Sequence, residues 1–509
     1  MWLASTRRSS GLHRSHPART RDRLRQTSHR RSTIGAATVG GTPRHAVLLN
    51  SLHALCIRVH RVSPVVVFPS HVAWHTSCMF VHGTTQGDPP MKTSTLLIPA
   101  LFLAACEPSI QPDEDPNRVA RVVVSADGDM GTVVSDHNQF SWDLYAELTA
   151  EGDDNVFFSP FSATSALSMT LAGAEGNTET EMLDALRITL DEPTWHEQLG
   201  ALTRDLSGDL DRGYTLHIAN RLFGQAGYPF EQDFLDICST DYDAPLEEWN
   251  FAADPDGGRE HVNDWVFDQT EERIDDLLPA GSVSSDTRLV LANAIYFLAD
   301  WATPFDRDLT YDGSFTRPDG SDVTVPMMVL DTESYEETGL QFGYLGNADV
   351  VRLPYADEEV SMVLIVPRET DGLAAVEASL DAATWQTAID SLSNTDGTIV
   401  MPRVEMEFEA DLVPVMRAMG MSDAFDPNLA DLTGIADTDE GNLYIGGIFH
   451  KAFVSIDEEG TEAAAATAVV VDVETAAGSY VVADHPYLFA IQDDLTGALL
   501  FIGRVTDPS

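Results

Sequence analysis

The chain has 509 residues, and its 81 Asp and Glu against 30 Lys and Arg give a formal net charge of −51. Charge of that sign repels nucleic acid and favours solubility, and a chain this long buries a large core without disulfide staples. The acids are unevenly spread: residues 1–90 hold twelve Arg, no Lys and nine of the fifteen His, but only two acids, Asp22 and Asp88. One folded domain rarely divides its charge so abruptly. This segment is expected to be a disordered arm, or sequence upstream of a true start at Met91. A basic arm that binds nucleic acid fits poorly with the export signal that follows it.

Met91 opens MKTSTLLIPALFLAAC, with a basic start at Lys92, a short apolar run and small residues before Cys106. Residues 91–105 read as a secretory signal peptide, too short to span a bilayer as a helix. Leu103-Ala104-Ala105-Cys106 resembles the bacterial lipobox, in which the Cys is diacylated and becomes the mature N-terminus. Two acyl chains anchor stably where one does not. The resemblance implies an exported lipoprotein, held to a bacterial membrane through Cys106 and facing the periplasm or cell exterior. Cys56 and Cys78 precede the signal, so Cys238 is the one thiol left in the mature chain and no internal disulfide is expected.

In residues 106–135, Cys106 is followed by EPSIQPDEDPN, rich in Pro and acids, and the stretch reads as a tether. A helical pattern starts near Asn138, with Phe140, Leu144, Tyr145 and Leu148 on one face. SATSALSMTLAGA reads as a buried helix. In the next helix Thr178 is the expected N-cap, with Glu181 completing a capping box. LHIANRLFGQ is strand-like, VNDWVFDQTEERIDDLL helical, and TRLVLANAIYFLADW a long apolar strand. VVRLPYADEEVSMVLIVP reads as a strand pair, and PVMRAMGMSDAF as a helix ending near Gly420. The last stretch is a β-hairpin turning at about Asp494–Gly497. Residues 136–509 are thus one large α+β domain.

Familiar catalytic signatures are missing. The sequence holds no G-x-S-x-G, Walker A, G-x-G-x-x-G, H-E-x-x-H or C-x-x-C pattern. His137, His196, His217, His261, His450 and His485 lack close metal-ligand spacing, so neither metal nor cofactor is expected. Ser159, Ser162 and His450 could be drawn as a hydrolase triad. However, the apolar Phe-Phe-Ser-Pro-Phe-Ser context suits buried structural serines better than an exposed nucleophile.

Several motifs fall in one order. They are Asn155-Val156-Phe157-Phe158-Ser159-Pro160-Phe161-Ser162, Leu291-Ala292-Asn293-Ala294-Ile295-Tyr296-Phe297 with Trp301 and Phe305, and Leu353-Pro354-Tyr355. Ala430-Asp431-Leu432-Thr433-Gly434-Ile435 and His450-Lys451-Ala452-Phe453-Val454 follow, the latter running into Glu458-Glu459-Gly460-Thr461-Glu462-Ala463-Ala464-Ala465. Asp484-His485-Pro486-Tyr487-Leu488-Phe489 and Phe501-Ile502-Gly503-Arg504-Val505 close the series. From about Asn138 to Pro508 the chain resembles the serpins, a family of serine protease inhibitors. The resemblance implies three β-sheets, about nine helices and an exposed reactive-centre loop. In inhibitory members a target protease attacks the loop as a substrate. The cleaved loop then inserts into the central sheet, carrying the acylated protease with it.

By the same resemblance, Glu458, Gly460, Thr461, Glu462, Ala463, Ala464, Ala465 and Ala466 form the hinge of that loop. Ser159, Ser162, Asn220 and His450 match a buried polar cluster beneath the central sheet, the shutter. Trp301 and Glu458 match the breach, where the loop first enters. Counting from the hinge acid puts the scissile bond at Glu474-Thr475, with Val473-Glu474 and Thr475-Ala476 as alternatives.

The loop sequence fits insertion as a strand, whose side chains alternate between faces. Thr461, Ala463, Ala465, Thr467, Val469, Val471 and Val473 form one set without charge, while Glu462, Asp472 and Glu474 all fall in the other. Small residues let the segment live exposed and then slide between strands. The valines favour the inserted state, at about 1.5–3 kcal/mol for each one buried. A charged or bulky residue in the first set should slow insertion.

The expected function is suicide inhibition of serine endopeptidases, with cysteine endopeptidases as a second class. The expected assembly is a monomer that forms a covalent complex with its target. The alternative is a non-inhibitory serpin acting as a surface binding protein, against which the intact hinge argues. No enzymatic activity is expected.

Overall fold

A computed structural model describes residues 2–5, 128–150, 152–207, 214–331, 338–356, 358–438, 441–461 and 479–509, all within one compact unit. Cys106, Glu462, Ala463, Ala464, Ala465, Ala466, Glu474 and Thr475 lie outside the described residues, as does the whole signal.

Three sheets organise the fold, and among the described residues nine α-helices surround them. The eight-stranded sheet is built on β5 (Thr287–Asp300). On one side β5 pairs with β3 (Tyr214–Gln225), which carries β4 (Leu246–Trp249) at its edge. On the other side the order runs through the short β16 (Gly460–Thr461) to β15 (Phe449–Ile456) and β13 (Val404–Asp411). Lower down on that same side β1 (Trp2–Ser5) stands between β5 and β14 (Leu443–Gly447). Residues 2–5, from the segment expected to be a disordered arm or sequence upstream of a true start, thus form a strand of this sheet, and residues 6–90 lie outside the described residues.

The seven-stranded sheet runs β11 (Ser393–Asn394), β8 (Gln341–Leu345), β9 (Ala348–Pro354), β10 (Val360–Pro367), β18 (Tyr487–Asp493), β19 (Leu499–Val505) and β2 (Val156–Phe158). Every residue of β10, β18 and β19 is buried, as their unbroken apolar runs require. The four-stranded sheet runs β17 (Ser479–Val482), β12 (Gly397–Pro402), β7 (Asp322–Asp331) and β6 (Tyr311–Thr316).

The helices are α1 (Asp129–Leu148), α2 (Pro160–Leu171), α3 (Gly176–Ala185), α4 (Glu192–Leu206), α5 (Gln232–Asp241), α6 (Pro255–Gln269), α7 (Leu373–Glu377), α8 (Ala382–Asp390) and α9 (Val413–Ala418). α2 is buried along almost its whole length beneath the large sheet, which its small residues permit. Ser159 caps it: its Oγ accepts from the Ser162 backbone N–H at 3.1 Å, and Pro160 occupies the first helical position.

Two local expectations need correcting. α1 begins at Asp129, so the end of the expected tether is helical, with Met130, Val133 and Val134 buried. The polar run from Ser135 to Gln139 hid this, because Asp136 and His137 are buried through hydrogen bonds rather than exposed. Thr178 is not an N-cap. It lies inside α3, and its Oγ1 accepts from the Asp431 backbone N–H at 3.0 Å. Glu181 likewise serves another segment, accepting from the backbone N–H groups of Ser422 and Asp423.

Candidate functional site

The site is the slot between β5 on one side and β14–β15 on the other. At its upper end β16 stands in it as a two-residue strand. Gly460 lies opposite Asp300, and Thr461 opposite Ala299 on β5 and Ile456 on β15. Gly460 is required there, because a Cβ would come within 2.1 Å of the Ala299 carbonyl oxygen. Thr461 is buried, and its Oγ1 meets the Tyr355 hydroxyl at 2.8 Å. The uncharged set of loop residues thus begins on the core side.

Below β16, among the described residues, β5 and β15 do not pair with each other. They line clefts instead. One cleft is bounded by Ile295, Phe297, Ala452 and Val454, the other by Leu291, Asn293, Ile448 and His450.

The upper end is held by ionic and aromatic contacts. Trp301 stacks on Tyr355, with centroids 4.5 Å apart and planes 8° from parallel. Its Nε1 donates to the Asp457 carbonyl at 2.9 Å, and its backbone N–H to the Glu459 carbonyl at 2.8 Å. Phe305 N–H donates to the Glu458 carbonyl at 2.8 Å. The Glu458 side chain is fully buried and meets Arg403 in a fork, with N–O distances of 2.7 and 2.9 Å. Thr310 Oγ1 donates to it at 2.5 Å. Burial alone would raise the Glu458 pKa, but hydrogen bonds from Arg403 and Thr310 outweigh it and hold the carboxyl below its ordinary value. Next to it, burial raises the Asp457 pKa, although its Oδ1 accepts from the N–H groups of Glu459 and Gly460.

Midway down, the contacts are neutral. Ser159 N–H donates to His450 Nε2 at 3.2 Å, and Ser159 Oγ donates to the Leu500 carbonyl at 2.8 Å. Ser162 Oγ donates to Asn293 Oδ1, Asn293 Nδ2 to Asn220 Oδ1 at 2.6 Å, and Asn220 Nδ2 to the Tyr242 carbonyl at 3.0 Å. Ser159, Ser162, Asn220 and His450 therefore belong to one hydrogen-bonded chain from Leu500 on β19, through the start of α2 and Asn293 on β5, to Asn220 on β3 and Tyr242 just past α5. Asn293 links it and was missed as a site residue, although it is the one amide in the apolar run of β5. Burial pushes the His450 pKa down to about 4. Since Nε2 accepts from a backbone N–H, the neutral ring carries its proton on Nδ1. A ring used in this way, with Ser159 Oγ turned to a carbonyl, is not arranged as the base of a triad.

The family model for Serpin (serine protease inhibitor) matches residues 135–508. The chain is a serpin. It is 39% identical over 375 residues to human Serpin B8, covering 72% of this chain and 97% of that one. It is 35% identical over 376 residues to the leukocyte elastase inhibitor of Xenopus tropicalis, with the same coverages of 72% and 97%. Among solved structures, cleaved Serpin 42Da matches with a TM-score of 0.67 at 27% identity, over 75% of this chain and all of that one. The thermophilic serpin tengpin in its native state matches with a TM-score of 0.65 at 27% identity, over 76% and 96%. The three sheets and surrounding helices are the serpin fold. The family is described as serine protease inhibitors, and the Xenopus tropicalis relative is named as an inhibitor of leukocyte elastase. Arg403 and Thr310 complete the upper end and left no local signal in the sequence, because each reaches Glu458 across the fold, while Tyr355 stood in a resemblance motif with no role assigned to it.

Proposed function

We propose that this serpin is a suicide inhibitor of serine endopeptidases, with cysteine endopeptidases as a second target class. It traps the acyl-enzyme by drawing its cleaved loop into the slot beside β5. The observation that carries this reading is β16, in which Gly460 and Thr461 already pair as the first two residues of a new strand. Support comes from the clefts below β16 and from the uncharged alternation that Thr461 starts. A chain cleaved after Glu474 would bring Val469, Val471 and Val473 onto the face that Thr461 presents to the core. Acids at and before the proposed bond, with no Lys or Arg between Lys451 and Arg504, favour a protease with a basic specificity pocket. Cleavage after Val473 would instead select an elastase-like enzyme. Diacylation of Cys106 would place this activity at a bacterial cell surface or envelope. The second reading, a non-inhibitory surface binding protein, is favoured by no particular contact.

The test is a panel of proteases added to the full chain carrying Cys106→Ser. The panel is a Glu-specific endopeptidase, elastase, chymotrypsin, subtilisin and trypsin. The expected result is an SDS-stable complex with the Glu-specific enzyme and a released peptide starting at Thr475. A different new N-terminus moves the bond. Cleavage by every protease with no complex, and no gain in thermal stability afterwards, sinks the inhibitory reading.

A further inference from the structure

The lower end of the slot is occupied. β1 pairs antiparallel with β5, Trp2 opposite Val290, Leu3 opposite Leu289 and Ala4 opposite Thr287. On its other side it pairs antiparallel with β14, Trp2 opposite Gly447, Leu3 opposite Ile445, Ala4 opposite Tyr444 and Ser5 opposite Leu443. β16 also runs antiparallel to β5, at the opposite end of the same side. The two short strands therefore point the same way along one groove.

The register makes the relation specific. Continuing the loop down β5 from Thr461 opposite Ala299, one residue per position, brings Val470 opposite Val290, Val471 opposite Leu289 and Val473 opposite Thr287. These are the residues that Trp2, Leu3 and Ala4 already face. The other side of the slot agrees. From Thr461 opposite Ile456, the same count brings Val470 opposite Gly447 and Val473 opposite Tyr444, where Trp2 and Ala4 stand. One backbone can hold each set of N–H and C=O groups, so full insertion of the loop and retention of β1 exclude each other.

We propose that the lower slot is a strand-binding site whose ligand is this chain's own amino terminus, and that Trp2–Ser5 is a removable plug at the end of the loop's path. It takes the places that Val470 to Val473 would fill last. With the plug in, the upper part of the slot still admits the hinge, and only the final stretch of insertion has to displace a strand. Delay at that stage gives the acyl-enzyme time to hydrolyse, so the plugged form loses a larger share of its molecules as simple substrate. Cleavage before Cys106 would sever β1 from the domain, which makes the lipidated form the unplugged one. The effect on inhibition rests on the inhibitory reading above; the strand contact does not.

Hydrogen exchange on the full chain tests the contact without a protease. Leu3→Pro removes a strand N–H and cannot pair in the middle of a sheet. Amides of Thr287–Val290 and Leu443–Gly447 should exchange on the order of ten-fold faster in Leu3→Pro than in the parent. Ala4→Pro and deletion of Trp2–Ser5 should do the same. Equal exchange in the parent and all three variants overturns the plug, whatever any protease does. The second readout is the number of serpin molecules consumed per protease inactivated, which should fall in the variants. Faster exchange with unchanged consumption overturns the competition. Faster exchange with no covalent complex in any variant supports the strand site and removes the inhibitory reading instead.

Discussion

The top and the middle of the slot solve different problems with different chemistry. At the top, a fully buried carboxylate, a guanidinium and a stacked Trp–Tyr pair fix the chain around Asp457 to Gly460. In the middle, two serines, two amides and a neutral imidazole connect α2 to the sheet. A buried ion pair is hard to part, because separating it strands two charges in a poor solvent. Short neutral hydrogen bonds part at smaller cost, about 0.5–1.5 kcal/mol net for each one. The contacts around Asp457 to Gly460 are thus the harder ones to part. Those in the middle part at smaller cost.

The contrast is broken most directly at Glu458. Glu458→Ala leaves Arg403, which is about one-quarter exposed, without its fork partner, and frees Thr310 Oγ1. Removing one partner of a buried pair costs about 3–5 kcal/mol, and the partial exposure of Arg403 puts this case near the lower end. Urea denaturation should show a fall of about 3 kcal/mol. A fall below about 1 kcal/mol would mean that the top is held by Trp301 and Tyr355 alone, and that the ion pair adds nothing net.

Asn293→Ala is the corresponding change in the middle. It takes the link out of the chain and leaves Ser162 Oγ and Asn220 Oδ1 without the partners they use now. Unsatisfied buried groups cost about 1–3 kcal/mol, so a loss of about 2 kcal/mol is expected, smaller than at Glu458. The sheet should also open more readily, seen as faster hydrogen exchange in β3 and β5 and a faster spontaneous loss of inhibitory activity. A loss of stability with unchanged exchange there would show Asn293 to be ordinary packing, with no hold on the sheet.

How far this site could be read from the sequence follows from the range of each contact. Ser159, Ser162, His450, Trp301 and Glu458 sit in motifs whose order carried the family resemblance, and Asn220 in a strand-like run; Ser159, Ser162, Asn220 and His450 meet in one hydrogen-bonded chain, and Trp301 stands beside the Asp457–Glu459 backbone. The strands β3, β5, β9, β10, β18 and β19 were legible because apolar runs of that length and spacing have few other uses. Arg403 was not legible, since one Arg after Pro402 gives no sign of a carboxylate far along the chain. The first turns of α1 were lost to their polar composition, because burial of Asp136 and His137 depends on Thr189, Thr164 and Leu499. β1 lay furthest from reach. Its four residues follow no periodicity and stand in a basic segment, and only the pairing with β5 and β14 gives them a place.

The smallest effect expected separates the two regions by pH. His450 is held neutral, with its pKa pushed from the ordinary 6.5 down to about 4 by burial. In the unfolded chain the ring takes up a proton below about pH 6.5, while the folded ring does not until about pH 4. Its contribution is therefore whole above pH 6.5 and declines as the pH falls towards 4. Between pH 7.5 and 5.5 the decline is about 1 kcal/mol. His137 is also pushed down to about 4, by burial against an opposing hydrogen bond to the Leu499 carbonyl, and adds a similar slope. His485 is shifted the other way: burial would lower its pKa, but Asp484 and the Pro367 carbonyl raise it, so its contribution opposes the trend. At the top, Glu458 is held below 4.5 and stays ionised throughout this range. His450→Gln keeps a neutral acceptor for Ser159 N–H and removes the titration, so its stability should fall by about 1 kcal/mol less than the parent's between these pH values. Equal slopes in the two proteins would mean that His450 accepts a proton without leaving its place, and that the middle of the slot tolerates charge as the top does.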